Sequence, residues 1–241
     1  MSSPAVSQPS AAQIQALFDR IAPRYDALND WLSFGQHRVW KQMAVDWAQP
    51  AAGAVCLDVC CGSGDLTYLL ARRAGPSGRV VGLDFAPQQL AIAAQRARTC
   101  WSIPLAPITW TVGDALELPY DDNTYDAVTM GYGLRNVTDI PKSLRELHRV
   151  LKPGAIAAIL DFHHPTNPGF RQFQQMYLNA WVVPVARQFG FETEYAYIND
   201  SLRRFPSDRR QIELAYDAGF AAAVHYPLVG GMMGALVVTK A

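Results

Sequence analysis

The chain has 241 residues, half of them hydrophobic, which suits one α/β domain with additions and a sizeable core. Basic and acidic residues balance at 21 each, so net charge gives no reason to expect a nucleic-acid partner. The N-terminus lacks the basic and apolar segments of a signal peptide, and no apolar run approaches the ~20 residues of a membrane-spanning helix. We therefore expect a cytoplasmic protein with a disordered tail over residues 1–12 and a single domain over 13–241.

A helical N-terminal arm is predicted over residues 13–50, broken or bent at Pro23. Its second helix is expected to run from Gln36 to Trp47, with Val39, Trp40, Met43 and Trp47 on the buried side. The segment between the helices concentrates aromatic and polar residues, namely Tyr25, Asp26, Asn29, Trp31 and Phe34. This composition favours a lid over an apolar ligand; simple packing of the arm on the sheet edge is the alternative.

Strands and helices then alternate over residues 54–163. The predicted strands are Val55–Cys60, Arg79–Asp84, Ile108–Val112, Tyr125–Met130 and Ala155–Phe162. The predicted helices are Leu66–Arg73, Pro87–Cys100 and Pro141–Leu151. Such alternation implies right-handed crossovers and a doubly wound, mostly parallel sheet.

After the alternation ends, residues 164–218 read as a helical insertion and residues 219–241 as a terminal β-hairpin. The insertion holds Phe170–Phe191, interrupted at Pro184, and Pro206–Ala218; the hairpin strands are Ala222–Tyr226 and Ala235–Lys240. An antiparallel last strand is typical of the Rossmann-like class I fold of S-adenosylmethionine (SAM) methyltransferases.

A glycine turn follows the first strand and opens the first core helix. Gly62 and Gly64 let the backbone approach a ligand closely, but Thr67 replaces the third glycine of the dinucleotide fingerprint. Nicotinamide, flavin and SAM binders share such turns, so the turn alone leaves the cofactor open.

The carboxyl ends of the predicted strands carry acids, where ligands bind in open parallel sheets. Asp84 is placed to accept hydrogen bonds from ribose hydroxyls, and Asp114 and the Ala115 N–H are placed to bind adenine. Asp58 is placed to attract a ligand ammonium, directly or through water. A pyrophosphate would be repelled by Asp58 and Asp65. These acids therefore favour SAM over a dinucleotide.

No metal site is predicted. The four cysteines, Cys56, Cys60, Cys61 and Cys100, lack C-x-x-C spacing and read as small hydrophobic residues. The adjacent His163 and His164 have no cysteine or carboxylate cluster to complete a site.

Nearly everything after the tail resembles the ubiquinone/menaquinone-biosynthesis C-methyltransferase family. The motifs that carry this resemblance are residues 21–26 (IAPRYD), 29–38 (NDWLSFGQHR), 57–65 (LDVCCGSGD), 133–139 (GLRNVTD), 149–154 (RVLKPG) and 201–206 (SLRRFP). The 230–240 end and the CCGSGD turn look like those of members from oxygenic phototrophs, which methylate the phytyl naphthoquinone precursor of phylloquinone. Demethylmenaquinol or a ubiquinol precursor is the alternative within the family.

The resemblance implies that Ser63, Asp84, Asp114 and Ala115 contact SAM. At Gly131, where some members of the family have a serine contact, this chain offers only backbone atoms. Together with the turn residues and the position after the second strand, the expected cofactor-binding residues are Asp58, Gly62, Ser63, Gly64, Asp84, Phe85, Asp114, Ala115 and Gly131.

The reaction implied is attack of a quinol ring carbon on the sulfonium methyl, helped by loss of a hydroxyl proton. Arg135 and Asn136 are expected to bind the quinol oxygens, and a structural ion-pair role for Arg135 is the alternative. Residues expected to complete a proton relay are Tyr25, Asp26, Asn29, Asp161 and His163.

The substrate's prenyl tail requires an apolar surface, and a lipid substrate implies transient contact with a membrane surface. Candidate lining residues are Trp31, Phe34, Phe170, Phe173, Met176, Tyr177, Trp181, Val182, Val183 and Met232. A homo-oligomer is compatible with the sequence. A catalytically silent SAM-binding module and a nicotinamide oxidoreductase are the alternatives outside the family.

Overall fold

The computed structural model describes residues 14–15, 35–99, 105–165, 167–182, 184 and 200–241. The predicted tail, the bend at Pro23, the aromatic segment around Trp31 and Phe34, and Val183 lie outside these residues. The helices are α1 (Gln36–Ala48), α2 (Asp65–Ala74), α3 (Pro87–Thr99), α4 (Ile140–Val150), α5 (Pro168–Tyr177) and α6 (Asp208–Asp217). The strands are β1 (Val55–Val59), β2 (Arg79–Asp84), β3 (Ile108–Val112), β4 (Tyr125–Gly131), β5 (Leu151–Phe162), β6 (Ala222–Leu228) and β7 (Met233–Thr239).

The seven strands form one sheet in the order β3-β2-β1-β4-β5-β7-β6. The pairs from β3 to β5 are parallel, and β7 pairs antiparallel with both β5 and β6. The chain order reverses between β1 and β4, which places the ligand crevice at their carboxyl ends. The predicted class I fold, with its antiparallel last strand, is confirmed.

Side chains alternate between two apolar clusters, one on each face of the sheet. Along β1, Cys56 belongs to the cluster beneath α1 and α2, whereas Leu57 and Val59 belong to the cluster beneath α4 and α6. Both clusters consist mainly of buried aliphatic side chains, so the strands are apolar on both faces, as a parallel sheet covered by helices requires.

The buried face of α1 differs from the prediction. Val39 is 56% exposed, and the buried residues are His37, Lys41, Ala44, Val45 and Ala48. Small side chains allow α1 to lie close to the sheet, and Lys41 tolerates burial because it pairs with Asp65 at 2.6 Å. The larger Trp40 and Trp47 pack at the rim of this contact instead.

Strand β5 begins at Leu151, four residues before the predicted start. Leu151 pairs with Tyr125 and Ile156 with Ala127, so the Lys152-Pro153-Gly154 segment forms a bulge within the strand rather than a helix end. The positive φ of Gly154, 78°, allows this detour.

Candidate active site

A cavity of about 990 Å³, counting its open mouth, lies at the carboxyl ends of β1 to β4. Seven of the nine predicted cofactor-binding residues line it, namely Gly62, Ser63, Asp84, Phe85, Asp114, Ala115 and Gly131. Ile14 of the arm also lines it, and Gln15 Nε2 donates to the carbonyl of Phe85 at 2.6 Å. At least this part of the arm therefore closes over the cavity.

Asp84 at the end of β2 fixes the glycine turn at the end of β1. Its Oδ2 accepts from the Gly62 N–H at 2.8 Å, and its Oδ1 accepts from the Ala86 N–H at 2.9 Å. Asp84 lines the cavity, and its carboxylate oxygens are acceptors of the kind that a ligand's hydroxyl groups need.

The turn itself is not built to cradle a phosphate. The Gly62 N–H is donated to Asp84, and the Gly64 N–H is donated to the carbonyl of Cys61 at 2.9 Å. A pyrophosphate site needs such backbone N–H groups directed at the ligand. Because these two N–H groups are already used within the protein, the turn fits a cofactor that has hydroxyl and amino groups but no phosphate, as SAM does.

Gly64 does not line the cavity and has a packing role. Its φ is 90°, and a Cβ there would lie 2.8 Å from the Trp110 ring. Gly131 does line the cavity, but a Cβ on it would lie 2.6 Å from Leu66 Cδ1. A serine at this position would therefore require Leu66 to move.

Asp58 is fully buried and lies outside the cavity lining, so the direct ammonium contact allowed by the sequence is not what the structure shows. Its carboxylate accepts from Thr67 Oγ1 at 2.7 Å and from Thr129 Oγ1 at 2.8 Å. Burial raises the pKa of Asp58 to about 7, although these hydroxyls and the nearby Lys41 oppose the shift. Asp58 thus stabilises the glycine turn from within the core, through Thr67 and Thr129.

The raised pKa of Asp58 predicts a pH-dependent stability. The folded state keeps a proton that the unfolded chain releases near the ordinary value of 3.8, so this stability is present below that pH and is lost as pH rises through about 7. Asp58→Asn cannot ionise and is expected to exceed the wild type by about 3–4 kcal/mol of unfolding free energy at about pH 8. Urea denaturation at about pH 4 and about pH 8 measures this difference. The same pH dependence in both proteins would contradict the assignment.

Arg135 and Asp161 form a buried ion pair, with side chains 5% and 4% exposed. Arg135 Nη1 donates to Asp161 Oδ1 at 2.7 Å and to the Tyr132 carbonyl at 3.1 Å, and the Arg135 N–H donates to Asp161 Oδ2 at 3.0 Å. Neither residue lines the cavity. The alternative ion-pair role of Arg135 is therefore the one that the geometry favours, and Asp161 is its partner rather than a free base.

Asn136, in the 3₁₀ helix Leu134–Asn136, does line the cavity. Its Nδ2 donates to the same Tyr132 carbonyl at 2.8 Å, which fixes the orientation of the amide. Its Oδ1 is buried and finds no hydrogen-bond partner in the part of the chain that the structure describes. A buried acceptor of this kind is satisfied when a ligand supplies a donor.

His163 lies behind the site and is 6% exposed. Its Nδ1 is 3.2 Å from the His164 carbonyl, and its Nε2 is 3.0 Å from Gln211 Nε2. Both ring nitrogens are therefore engaged by these contacts, which leaves neither available for a proton relay. The other proposed relay members, Tyr25, Asp26 and Asn29, lie outside the described residues.

Sequence reasoning did not identify two chemically relevant lining residues, Lys41 and Tyr132, and it used a third, Asp65, only as an acid that would repel a pyrophosphate. Asp65 opens α2 and pairs with Lys41 at 2.6 Å and Arg96 at 2.7 Å. Burial alone would raise the pKa of Asp65, but these two cations outweigh it and lower the pKa to about 2. The spacing of His37, Lys41 and Val45 on one helical face was the signal available for Lys41.

Cys60 and Cys61 also line the cavity, and both are free thiols. Burial, followed by the charges of nearby carboxylates, raises the pKa of both thiols well above the usual range. They therefore stay protonated and serve as small apolar wall residues. Cys56 is likewise buried, and Cys100 lies outside the described residues.

Comparison with known proteins follows this geometry. The model of the ubiE/COQ5 methyltransferase family matches residues 6–240. The chain is 60% identical over 228 residues to the 2-phytyl-1,4-naphtoquinone methyltransferase of Nostoc punctiforme, covering 95% of this chain and 98% of that one. The protein of the same name from Synechocystis is 52% identical over 100% of both chains. The chloroplastic 2-phytyl-1,4-beta-naphthoquinone methyltransferase of Arabidopsis thaliana is 47% identical, covering 93% and 86%.

Solved structures share the fold at low sequence identity. The [4+2]-cyclase SpnF has a TM-score of 0.68 at 19% identity, covering 99% of both chains. A SAM-dependent methyltransferase from Thermotoga maritima, described as a possible histamine N-methyltransferase, has a TM-score of 0.66 at 16% identity, covering 95% and 100%. These likenesses support the class I fold alone, because the sequence identities are only 16% and 19%.

Proposed function

We propose that the methyl acceptor of this chain is the ring of a phytyl-bearing naphthoquinol, because the chain belongs to the ubiE/COQ5 methyltransferase family. The chain is a SAM-dependent methyltransferase. The names of its relatives from cyanobacteria and a plant support the phytyl naphthoquinone as substrate, which would place the reaction in phylloquinone synthesis. A demethylmenaquinol or ubiquinol precursor is the alternative within the family.

The main structural support for a quinol as the methyl acceptor is the buried Oδ1 of Asn136. Asn136 lines the cavity beyond the glycine turn, on the β4 side, away from Asp84 and Asp114. A quinol hydroxyl supplies the donor that this oxygen lacks among the described residues, whereas an oxidised quinone carries only acceptors. The site is thus suited to the reduced ring, which is also the nucleophilic form.

The chain's residues contribute positioning and water exclusion to the transfer. Bound SAM supplies an electrophilic methyl group. Asn136 would orient one quinol hydroxyl, and loss of the proton of the other hydroxyl, beside the unsubstituted ring carbon, to water would raise the electron density at that carbon. That carbon would bond to the methyl as the methyl–sulfur bond breaks, the ring would release its proton at that carbon, and the phenolate oxygen would take a proton back from water. Arg135, through Asp161 and the Tyr132 carbonyl, positions Asn136.

Asn136→Leu tests this assignment. The variant removes the hydroxyl acceptor, so kcat/KM for the quinol is expected to fall about 10- to 100-fold, while the Kd for SAM changes less than about twofold. Steady-state kinetics and calorimetric titration of SAM measure the two effects. Val137→Ala, at a neighbouring lining position, is the matched control and should retain both constants. An equal loss of SAM affinity in Asn136→Leu would contradict the proposed contact.

The same proposal extends to the membrane surface where a phytyl quinol resides. Phe170, Phe173 and Met176 of α5 expose 47–59% of their surface, and Val229 exposes 44%. Phe170 packs against Gly230, so α5 and the β6–β7 turn form one apolar patch. No helix of the described residues has the length and hydropathy to cross a bilayer. The large, exposed apolar side chains of this patch are suited to reversible docking on a membrane surface.

Co-sedimentation with liposomes tests the patch. Phe173→Ser with Met176→Ser is expected to reduce the bound fraction at least about fivefold, because each exposed apolar side chain contributes on the order of 1 kcal/mol at an interface. Tyr216→Ser on α6, where the side chain is similarly exposed, is the control and should bind as the wild type does. Wild-type protein that stays in the supernatant with quinol-loaded liposomes would refute membrane docking.

A further inference from the structure

Lys41 is a buried cation that the methyl-transfer chemistry described so far does not use. It is 7% exposed on α1, and it is the only basic residue among the described residues that line the cavity. Its Nζ lies 2.6 Å from Asp65 Oδ2 and 5.7 Å from the centre of the Tyr132 ring. Burial of an ammonium in a ligand cavity is unfavourable unless its charge is used.

The contacts of Lys41 place it at the opposite end of the cavity from the adenosine-binding acids. Asp65 follows the β1 turn and Tyr132 follows β4, so Lys41 lies over the β1–β4 side, whereas Asp84 and Asp114 follow β2 and β3. Adjacent strands lie about 4.8 Å apart, so the row from β3 to β4 spans roughly 14 Å. An adenosine bound at Asp84 and Asp114 therefore directs its amino-acid tail toward Lys41.

The charge at this end of the cavity is positive. Asp65 carries one negative charge and contacts two cations, Lys41 and Arg96, which leaves one net positive charge. Asp58 lies nearby, but burial raises its pKa to about 7, so near neutral pH it offsets this charge only in part. An ammonium has three N–H groups, and Asp65 uses one of those on Lys41.

We propose that Lys41 binds the carboxylate of the amino-acid tail of SAM. Asp65 holds the ammonium in place through one N–H, and a second N–H donates to a carboxylate oxygen. This contact would form whatever the methyl acceptor is, so its failure would leave the quinol proposal untouched.

Calorimetric titration with SAM and with decarboxylated SAM, without quinol, tests the contact. In the wild type, loss of the carboxylate is expected to weaken binding about 10- to 100-fold, the range for a hydrogen bond between charged groups. Lys41→Met should weaken SAM by the same factor and bind both ligands equally. Lys41→Arg, which keeps the charge, should retain most of the preference for SAM.

Lys152→Met is the matched control, because Lys152 also pairs with an aspartate, Asp126 at 2.6 Å, but does not line the cavity. It should keep the wild-type preference for the carboxylated ligand. Two outcomes would overturn the proposal: equal binding of both ligands by the wild type, or a preserved preference in Lys41→Met. Because the wild-type comparison needs no variant, the proposal stays testable even if Lys41→Met does not fold.

Discussion

Asp161→Ala is expected to lower the unfolding free energy by about 3–5 kcal/mol, because it leaves the Arg135 guanidinium buried without its anionic partner. The loss includes two further contacts, since the Asp161 carboxylate also accepts from the backbone N–H groups of Arg135 and Phe162. Urea denaturation of both proteins measures the difference.

The double variant Arg135→Met with Asp161→Leu separates stability from function. Apolar residues of similar size remove both charges, so most of the lost stability should return. Methyl transfer should not return, because the Tyr132 carbonyl loses its Arg135 donor and Asn136 loses its fixed position. A single variant that loses less than about 1 kcal/mol, or a double variant with wild-type kcat, would contradict the positioning role.

Gly133→Ala is the second change with a large expected effect. A Cβ at this position would lie 2.6 Å from Cys60 Cβ and 2.8 Å from Cys60 Sγ, so the β4 loop and the β1 turn must separate. Because a displacement on the order of 1 Å between reacting groups costs about 100-fold in rate, kcat/KM should fall by at least about that factor. A methyl-transfer assay with labelled SAM measures the loss.

Cys60→Gly supplies the matched rescue. Cys60 has a φ of 55°, a left-handed conformation that glycine adopts without strain, and its removal clears both short contacts. The Gly133→Ala, Cys60→Gly double variant should therefore recover most of the activity. If the double variant is as impaired as Gly133→Ala, the steric explanation is wrong.

The fold was predictable from the sequence because its strands are short, apolar and separated by well-marked helices. The carboxyl ends of β1 and β2 were predicted from Asp58 and Asp84, which stand before turns in the sequence. The parallel order then follows from the crossover rule. The start of β5 was not predictable, because Lys152-Pro153-Gly154 has the composition of a turn and only its pairing with β4 and β7 places it in a bulge.

The site was predictable where function depends on residues that follow strands directly. Asp84, at the end of β2, and Asp114, shortly after β3, line the cavity for this reason, whereas Ser63 was expected from the family resemblance. The roles of Asp58 and Arg135 were less predictable, because a charged residue reads alike in sequence whether it faces a ligand or a buried partner. Lys41 was missed since its burial depends on Asp65, which lies 24 residues away along the chain.

Methyl transfer from labelled SAM to a set of acceptors tests the central claim most directly. The set comprises phytyl-naphthoquinone, a prenyl-naphthoquinone of the menaquinone type and a benzoquinone precursor, each assayed with and without a reductant. We predict the highest kcat/KM for the reduced phytyl-naphthoquinone and no transfer to any oxidised acceptor. Equal or faster transfer to the benzoquinone precursor, or transfer that does not require the reductant, would contradict the proposed function.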